Sequence, residues 1–154
     1  MSNIRTRTGD FGSTDIKDER VYKDSELIGL IGDLDETMAY FILVHSLKPD
    51  DIYGFEDVVE NLILISAIVA GYTPIEDFSE SKVLDIENEI VHRGESFTDF
   101  TYPFNDVFKA RMNVLRTVVR RAERQAHAVL RGDEYNIIKT YLNALSDYVF
   151  TYIK

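Results

Sequence analysis

Arg116-Thr117-Val118-Val119-Arg120-Arg121-Ala122-Glu123-Arg124 is the stretch whose reading decides the fold. It lies in the middle of a segment from Phe104 to Arg131. At the helical turn of about 100° per residue, Lys109, Asn113, Arg116, Arg120, Glu123 and His127 share one row, and Val114, Leu115, Val118, Val119, Ala122, Ala126 and Val129 fall opposite. The segment is an amphipathic helix with an almost wholly cationic polar face. Such a face is either solvated and paired with carboxylates of neighbouring helices, or it meets an anionic ligand. A chain of formal net charge −10 has carboxylates to spare for the first reading.

At 154 residues and 45% hydrophobic content, the chain suits one domain with a substantial core. Cysteine is absent, which removes disulfides, thiolate metal sites and thiol nucleophiles. The acidic balance argues against general nucleic-acid binding, which leaves a basic footprint, but a small polyanion on a local basic patch stays possible. Met1-Ser2-Asn3-Ile4-Arg5 has no apolar signal core, and no apolar run reaches membrane-spanning length. A cytoplasmic protein without membrane contact is the expectation.

Working outward from the central helix, Asn105 or Asp106 can cap its start and Gly132 its end. Asp133 can cap a further helix with Ile137, Ile138, Tyr141, Leu142, Leu145, Val149 and Ile153 as its core stripe. Upstream, Ser96-Phe97-Thr98-Asp99-Phe100-Thr101-Tyr102-Pro103 alternates like a short strand, with Pro103 turning Tyr102 away from helix. A weaker helix runs from Ser79 to about His92. Phe55 to about Ala70 reads as a helix apolar on more than one side. Ser25 to about Ser46 carries Leu27, Leu30, Ile31, Leu34, Met38, Phe41 and Ile42 at helical spacing, and Lys48-Pro49-Asp50-Asp51 ends it. Asp33, Asp35 and Glu36 within that helix are either a solvated face or partners for an arginine on another helix or another subunit. Arg5-Thr6-Arg7-Thr8-Gly9-Asp10-Phe11-Gly12-Ser13-Thr14 reads as a loop whose glycines and hydroxyls suit an anion nest; the plainer reading is a polar arm. The expected fold is all-α, an up-and-down bundle of five helices with little or no sheet.

Five fragments in order resemble the PduO-type ATP:cob(I)alamin adenosyltransferases: Thr6-Arg7-Thr8-Gly9-Asp10-Phe11-Gly12, Arg20-Val21-Tyr22-Lys23, Gly32-Asp33-Leu34-Asp35-Glu36, Phe100-Thr101-Tyr102-Pro103 with Arg116 to Arg124, and Tyr141-Leu142-Asn143-Ala144-Leu145-Ser146-Asp147. The resemblance implies a single domain over residues 1–154, with a flexible ATP-binding loop at about 1–20, assembling as a homotrimer. It also implies transfer of the 5′-deoxyadenosyl group of ATP to a cob(I)alamin or related corrinoid, with Mg²⁺ and release of triphosphate. By the resemblance, Thr6, Arg7, Thr8 and Gly9, with Ser13 or Thr14, hold phosphates, and Lys23 is a further phosphate ligand. Arg120, Arg121, Glu123, Arg124 and Asn143 are ATP contacts across a subunit boundary. Arg116 pairs with Asp35 of the adjacent subunit. Phe100 displaces the lower axial ligand of the corrinoid; read by itself, it would be a core aromatic. A reductase and an enzyme accepting the product are the implied partners.

The residue types suit that chemistry. Triphosphate leaves with developing charge that arginine forks and Mg²⁺ neutralise. Cobalt in its Co(I) state is itself the nucleophile, so the protein supplies binding, orientation and control of the cobalt ligands. The chain departs from the family at Pro103-Phe104-Asn105-Asp106, bulkier than a glycine-rich turn, at Ala144 in place of an arginine, and at Thr37-Met38. Three alternatives are open: a diverged member that binds ATP or corrinoid as a sensor or carrier, a structural trimerisation module, and a di-iron carboxylate bundle suggested by Glu89-Ile90-Val91-His92.

Overall fold

Ser25 starts the first helix by accepting a hydrogen bond from the Ile28 amide, and α1 then runs over Glu26–Leu47. The computed structural model describes residues 3–48, 52, 54–94 and 96–154; the expected break at Pro49, Asp50 and Asp51 lies outside them. The remaining helices are α2 (Phe55–Val69), α3 (Glu80–Arg93), α4 (Val107–Val129) and α5 (Asn136–Phe150). Ahead of them, β1 (Ser13–Ile16) and β2 (Glu19–Tyr22) pair antiparallel, with Ser13 opposite Tyr22 and Ile16 opposite Glu19. The end of the N-terminal loop, including Ser13 and Thr14, is thus the first strand of a hairpin.

The central helix organises the packing. α4 lies against α1 and α5, α2 flanks α1, and α3 flanks α5. Met112, Leu115, Val119, Ala122 and Ala126 of α4 are wholly buried, and they meet Leu30, Leu34 and Phe41 of α1 and Leu142, Leu145 and Val149 of α5 in one core. Small Ala122 and Ala126 leave room for larger neighbours. Truncating a wholly buried leucine such as Leu115 to alanine would cost about 2–5 kcal/mol. At the far side Asn61 of α2 donates to the Tyr141 hydroxyl at 3.2 Å and accepts from Lys82 Nζ of α3 at 2.9 Å. Burial pushes the Tyr141 phenol up to about 12, so this tie stays neutral at Tyr141 across the physiological range.

Five sequence expectations change. Residues 96–102 alternate but form no strand, because no described segment pairs with them and the hairpin is the sheet; an unpaired extended run has no ladder to hold it. α4 ends at Val129, before Gly132, whose φ of −74° is not the left-handed cap. Asp133 opens a short 3-10 turn, Asp133–Tyr135, and α5 follows from Asn136. Ile153, counted in the α5 stripe, is buried one turn beyond the helix end. Val114 and Ile42, placed on core faces, are 44% and 53% exposed. Of the two candidate caps for α4, Asp106 is the one used, accepting from the Lys109 amide at 3.0 Å.

Candidate functional site

The polar row of α4 meets α5 at Arg120. Its Nη1 donates to Glu123 Oε2 at 2.6 Å and reaches Asn143 Oδ1 at 3.4 Å. Helical spacing explains the first contact, since residues three apart share a face. The second depends on α5 packing beside α4. Glu123, read as part of the exposed polar row, is only 8% exposed. A carboxylate so covered needs a cation, and Arg120 supplies it. His127 Nε2 lies 3.9 Å from the other Glu123 oxygen and would add to the pairing when protonated.

One turn before Arg120, Arg116 Nε donates to Asn113 Oδ1 at 3.1 Å. Among the described residues Arg116 has no carboxylate partner and Asp35 no cationic one. The other two acids of the α1 cluster behave differently. Arg121 donates to Asp33 Oδ1 at 3.1 Å and to Glu36, tying α4 to α1 within the protomer. The Glu36 hydrogen bond, and then Asp33, hold the Arg121 guanidinium above its ordinary pKa. Asp35 is exposed and lies on another face of α1. Arg124 is also exposed, with no hydrogen-bond or ion-pair partner among the described residues.

Arg116 and Arg120 line one side of a cleft of about 390 Å³ whose other walls are Phe97, Phe100, Ser146, Asp147 and Phe150. Phe100 is 62% exposed, which rules out a core role in the protomer and presents the ring to whatever enters. The α5 wall is a single helical face, because Ser146, Asp147 and Phe150 lie within one turn on the side where Asn143, three residues before Ser146, meets Arg120. Asp147 and Phe150 belong to this wall but were not read as site residues from sequence, although Asn143 at the same spacing was the available signal. Asp147 is exposed, but partial desolvation in the cleft wall still raises its carboxyl above the ordinary pKa, and Arg120 partly offsets this.

The second group of expected residues is gathered by the hairpin. Thr6 Oγ1 and Thr8 Oγ1 lie 3.0 Å apart. The Lys23 amide donates to the Gly12 carbonyl at 2.8 Å, folding β2 back on the loop. A Cβ on Gly9 would sit 3.0 Å from Lys23 Nζ, so glycine there lets the ammonium close over the backbone. Arg7 holds a φ of 63°, and Arg20 fastens the loop by donating to the Thr8 carbonyl and to Asp15 Oδ1, the latter at 2.8 Å. The structure therefore forms two cationic groups. Among the described residues no hydrogen bond or ion pair joins them within one protomer. Nor does any group of three or more His, Asp or Glu among those residues suit a metal ion, so Glu89 and His92 find no companions for a di-iron site.

The comparisons bear on this arrangement. The family model described as cobalamin adenosyltransferase matches residues 4–154. A corrinoid adenosyltransferase from Bacillus subtilis is 30% identical over 160 residues, covering 96% of this chain and 82% of its own length. One from Mycobacterium leprae is 32% identical over 171 residues, covering 97% and 88%. Among solved structures, a variant PduO-type ATP:corrinoid adenosyltransferase from Lactobacillus reuteri, complexed with cobalamin and ATP, superimposes with a TM-score of 0.84 at 23% identity, covering 98% of this chain and 89% of that one. Five helices, the central one cationic, and a family match running over residues 4–154 place the chain in the cobalamin adenosyltransferase family.

Proposed function

We propose that this protein transfers the 5′-deoxyadenosyl group of ATP to the cobalt of a reduced corrinoid. The observation that carries this reading is Arg120, bonded to Glu123 and Asn143, on one wall of a cleft that has the exposed Phe100 on another. Cobalt in the Co(I) state gives its electron pair to C5′ of the nucleotide. The C5′–oxygen bond breaks, and triphosphate departs with that bond's pair. Arg120 and Arg124 meet the growing charge on the phosphate oxygens, and the rigid fork of Arg120 is held in place before the ligand arrives. Phe100 takes the position of the lower axial ligand on the corrinoid. Thr6, Arg7, Thr8 and Gly9, with Ser13 or Thr14 and Lys23, form the other half of the phosphate site. Mg²⁺ would enter on the substrate phosphates, which bind it with few protein ligands.

The two cationic groups complete one site if the hairpin of one subunit meets α4 of the next in a homotrimer. Asp35 and Ile42, two turns apart on one face of α1, are both exposed, and Arg116 is without a carboxylate partner among the described residues. These groups are suited to a subunit contact in which Arg116 pairs with the neighbour's Asp35. Mass measurement in solution should give three chains, and a monomer would remove the shared site. A reductase delivering the electron and an enzyme accepting the adenosylated product complete the proposed setting, in the cytoplasm. No described helix is long and apolar enough to cross a membrane.

The test is an anaerobic assay with ATP, Mg²⁺ and chemically reduced cob(I)alamin, followed through the cobalt absorption spectrum. Protein-dependent formation of adenosylcobalamin is the expected result. A second reading, a sensor or carrier, rests on Phe104, which is 92% exposed beside the cleft loop where a glycine-rich turn would leave more room. ATP binding with an unchanged cobalt spectrum would favour that reading and exclude the transferase.

A further inference from the structure

We propose that Phe97 is a positioning residue for the corrinoid half of the reaction, acting as the backstop that holds Phe100 in the cleft. The proposal rests on the function given above. Phe100 stands on a connection without helix or strand, and its amide is fixed locally by Asp99 Oδ1 at 2.8 Å. Its ring packs on Phe97, centroid to centroid at 5.3 Å with the planes at 73°, an edge-to-face contact. Phe97 in turn packs on Phe150 at 5.7 Å and 47°. Phe150 is on α5, one turn past the Ser146 and Asp147 that face Arg120 across the cleft. The three rings therefore relay the position of a packed helix to an otherwise exposed side chain.

The surroundings show where Phe100 would go without this support. Phe97 and Phe150 line both the Arg116–Arg120 cleft and an adjoining cleft of about 390 Å³ that includes Gly94, Ser96 and Lys154. Phe97 is the loop residue between the two. Remove its ring and Phe100 gains free space on the side away from the arginines. Phe97 is itself 58% exposed, so its truncation opens no core cavity. Its effect should fall on the geometry of Phe100 and leave the phosphate side alone.

The protein, loaded with ATP, Mg²⁺ and cob(II)alamin, is compared as wild type, Phe97→Ala and Phe97→Tyr by electron paramagnetic resonance of the cobalt, by adenosylation starting from Co(II) with a reduced flavin supplying the one electron that makes Co(I), and by ATP titration. With Phe100 in place of the lower ligand, Co(II) is left four-coordinate and easier to reduce; Phe97→Ala should lower that fraction and the rate from Co(II) by about tenfold, the scale for loss of a positioning contact. ATP affinity should stay within about twofold, because Phe97 bonds to neither cationic group. Phe97→Tyr, which keeps the ring, should restore the signal. A wild-type cobalt spectrum in Phe97→Ala, equal loss of ATP affinity, or no rescue by tyrosine would each overturn the proposal. If wild type itself fails to adenosylate cob(I)alamin, the functional reading falls and takes this one with it. If wild type turns over and Phe97→Ala matches it, only the backstop falls.

Discussion

Arg120, Glu123 and Asn143 stand on two packed helices, and Arg120 donates to each of the other two. Phe97 and Phe100, across the same cleft, stand on an irregular connection and are 58% and 62% exposed. A polyphosphate has a charge pattern that a fixed array of donors can meet, and fixing those donors in advance avoids reorganisation when the leaving group gains charge. On the proposed function Phe100 must replace a ligand beneath a broad macrocycle, and a side chain with that task has to yield while the macrocycle enters. The cation side is accordingly built into the bundle, and the aromatic side is attached to it through Phe97.

Breaking the cation side should have the largest effect. Arg120→Ala is expected to lower kcat/KM by about 10³-fold, the scale for loss of a preorganised charge donor, and to weaken ATP binding; unchanged kinetics would remove Arg120 from the phosphate site. Phe100→Ala should slow adenosylation from Co(II) by about 10²-fold while sparing ATP affinity, and parallel loss of both in a titration and a rate assay would mean the two sides are not separable. Glu123→Ala leaves Arg120 without its buried anchor, so ATP affinity should fall by about tenfold, or ~1.4 kcal/mol, measurable by calorimetry.

Arg121 sharpens the contrast from the other direction. Its pairing with Asp33 and Glu36 makes it a tie between α1 and α4 in the protomer, while the family resemblance makes it an ATP contact. For a half-exposed pair, Arg121→Ala should cost about 0.5 kcal/mol of stability; a drop in ATP affinity larger than that loss would show that the guanidinium leaves its carboxylates to reach the nucleotide. The smallest effect concerns Asp147, whose carboxyl partial desolvation raises above its ordinary value of 3.8. The folded state therefore holds the proton more tightly than the unfolded chain, and stability is highest below 3.8 and falls as pH rises through the raised value. Asp147→Asn removes that fall, so thermal unfolding should show the variant gaining on wild type as pH climbs past 3.8, and a constant difference would contradict the assignment.

Much of this site was legible in the residue order. The row Arg116, Arg120, Glu123 needs only helical periodicity, whereas Asn143 was a candidate only through the family resemblance. Which of Asp33, Asp35 and Glu36 would be used within the protomer was not legible: all three are acids in four residues, and only the placement of α4 against α1 selects Asp33 and Glu36 for Arg121. The alternation at 96–102 suggested a strand because period-two patterning is local, whereas a strand exists only if a partner edge is present. The hairpin at Ser13–Tyr22 escaped notice for a related reason, since its strands have four residues each and carry too few apolar positions to show a period.

By itself, the sequence determined the helical segments, most of their buried faces and the cationic character of α4, because these depend on the spacing of side chains a few residues apart. Tertiary structure decided the rest. It sank Glu123 against Arg120, exposed Phe100 instead of burying it, and set Phe97 between Phe100 and Phe150. Each of those outcomes depends on which surfaces of distant segments meet, and local periodicity does not encode that choice.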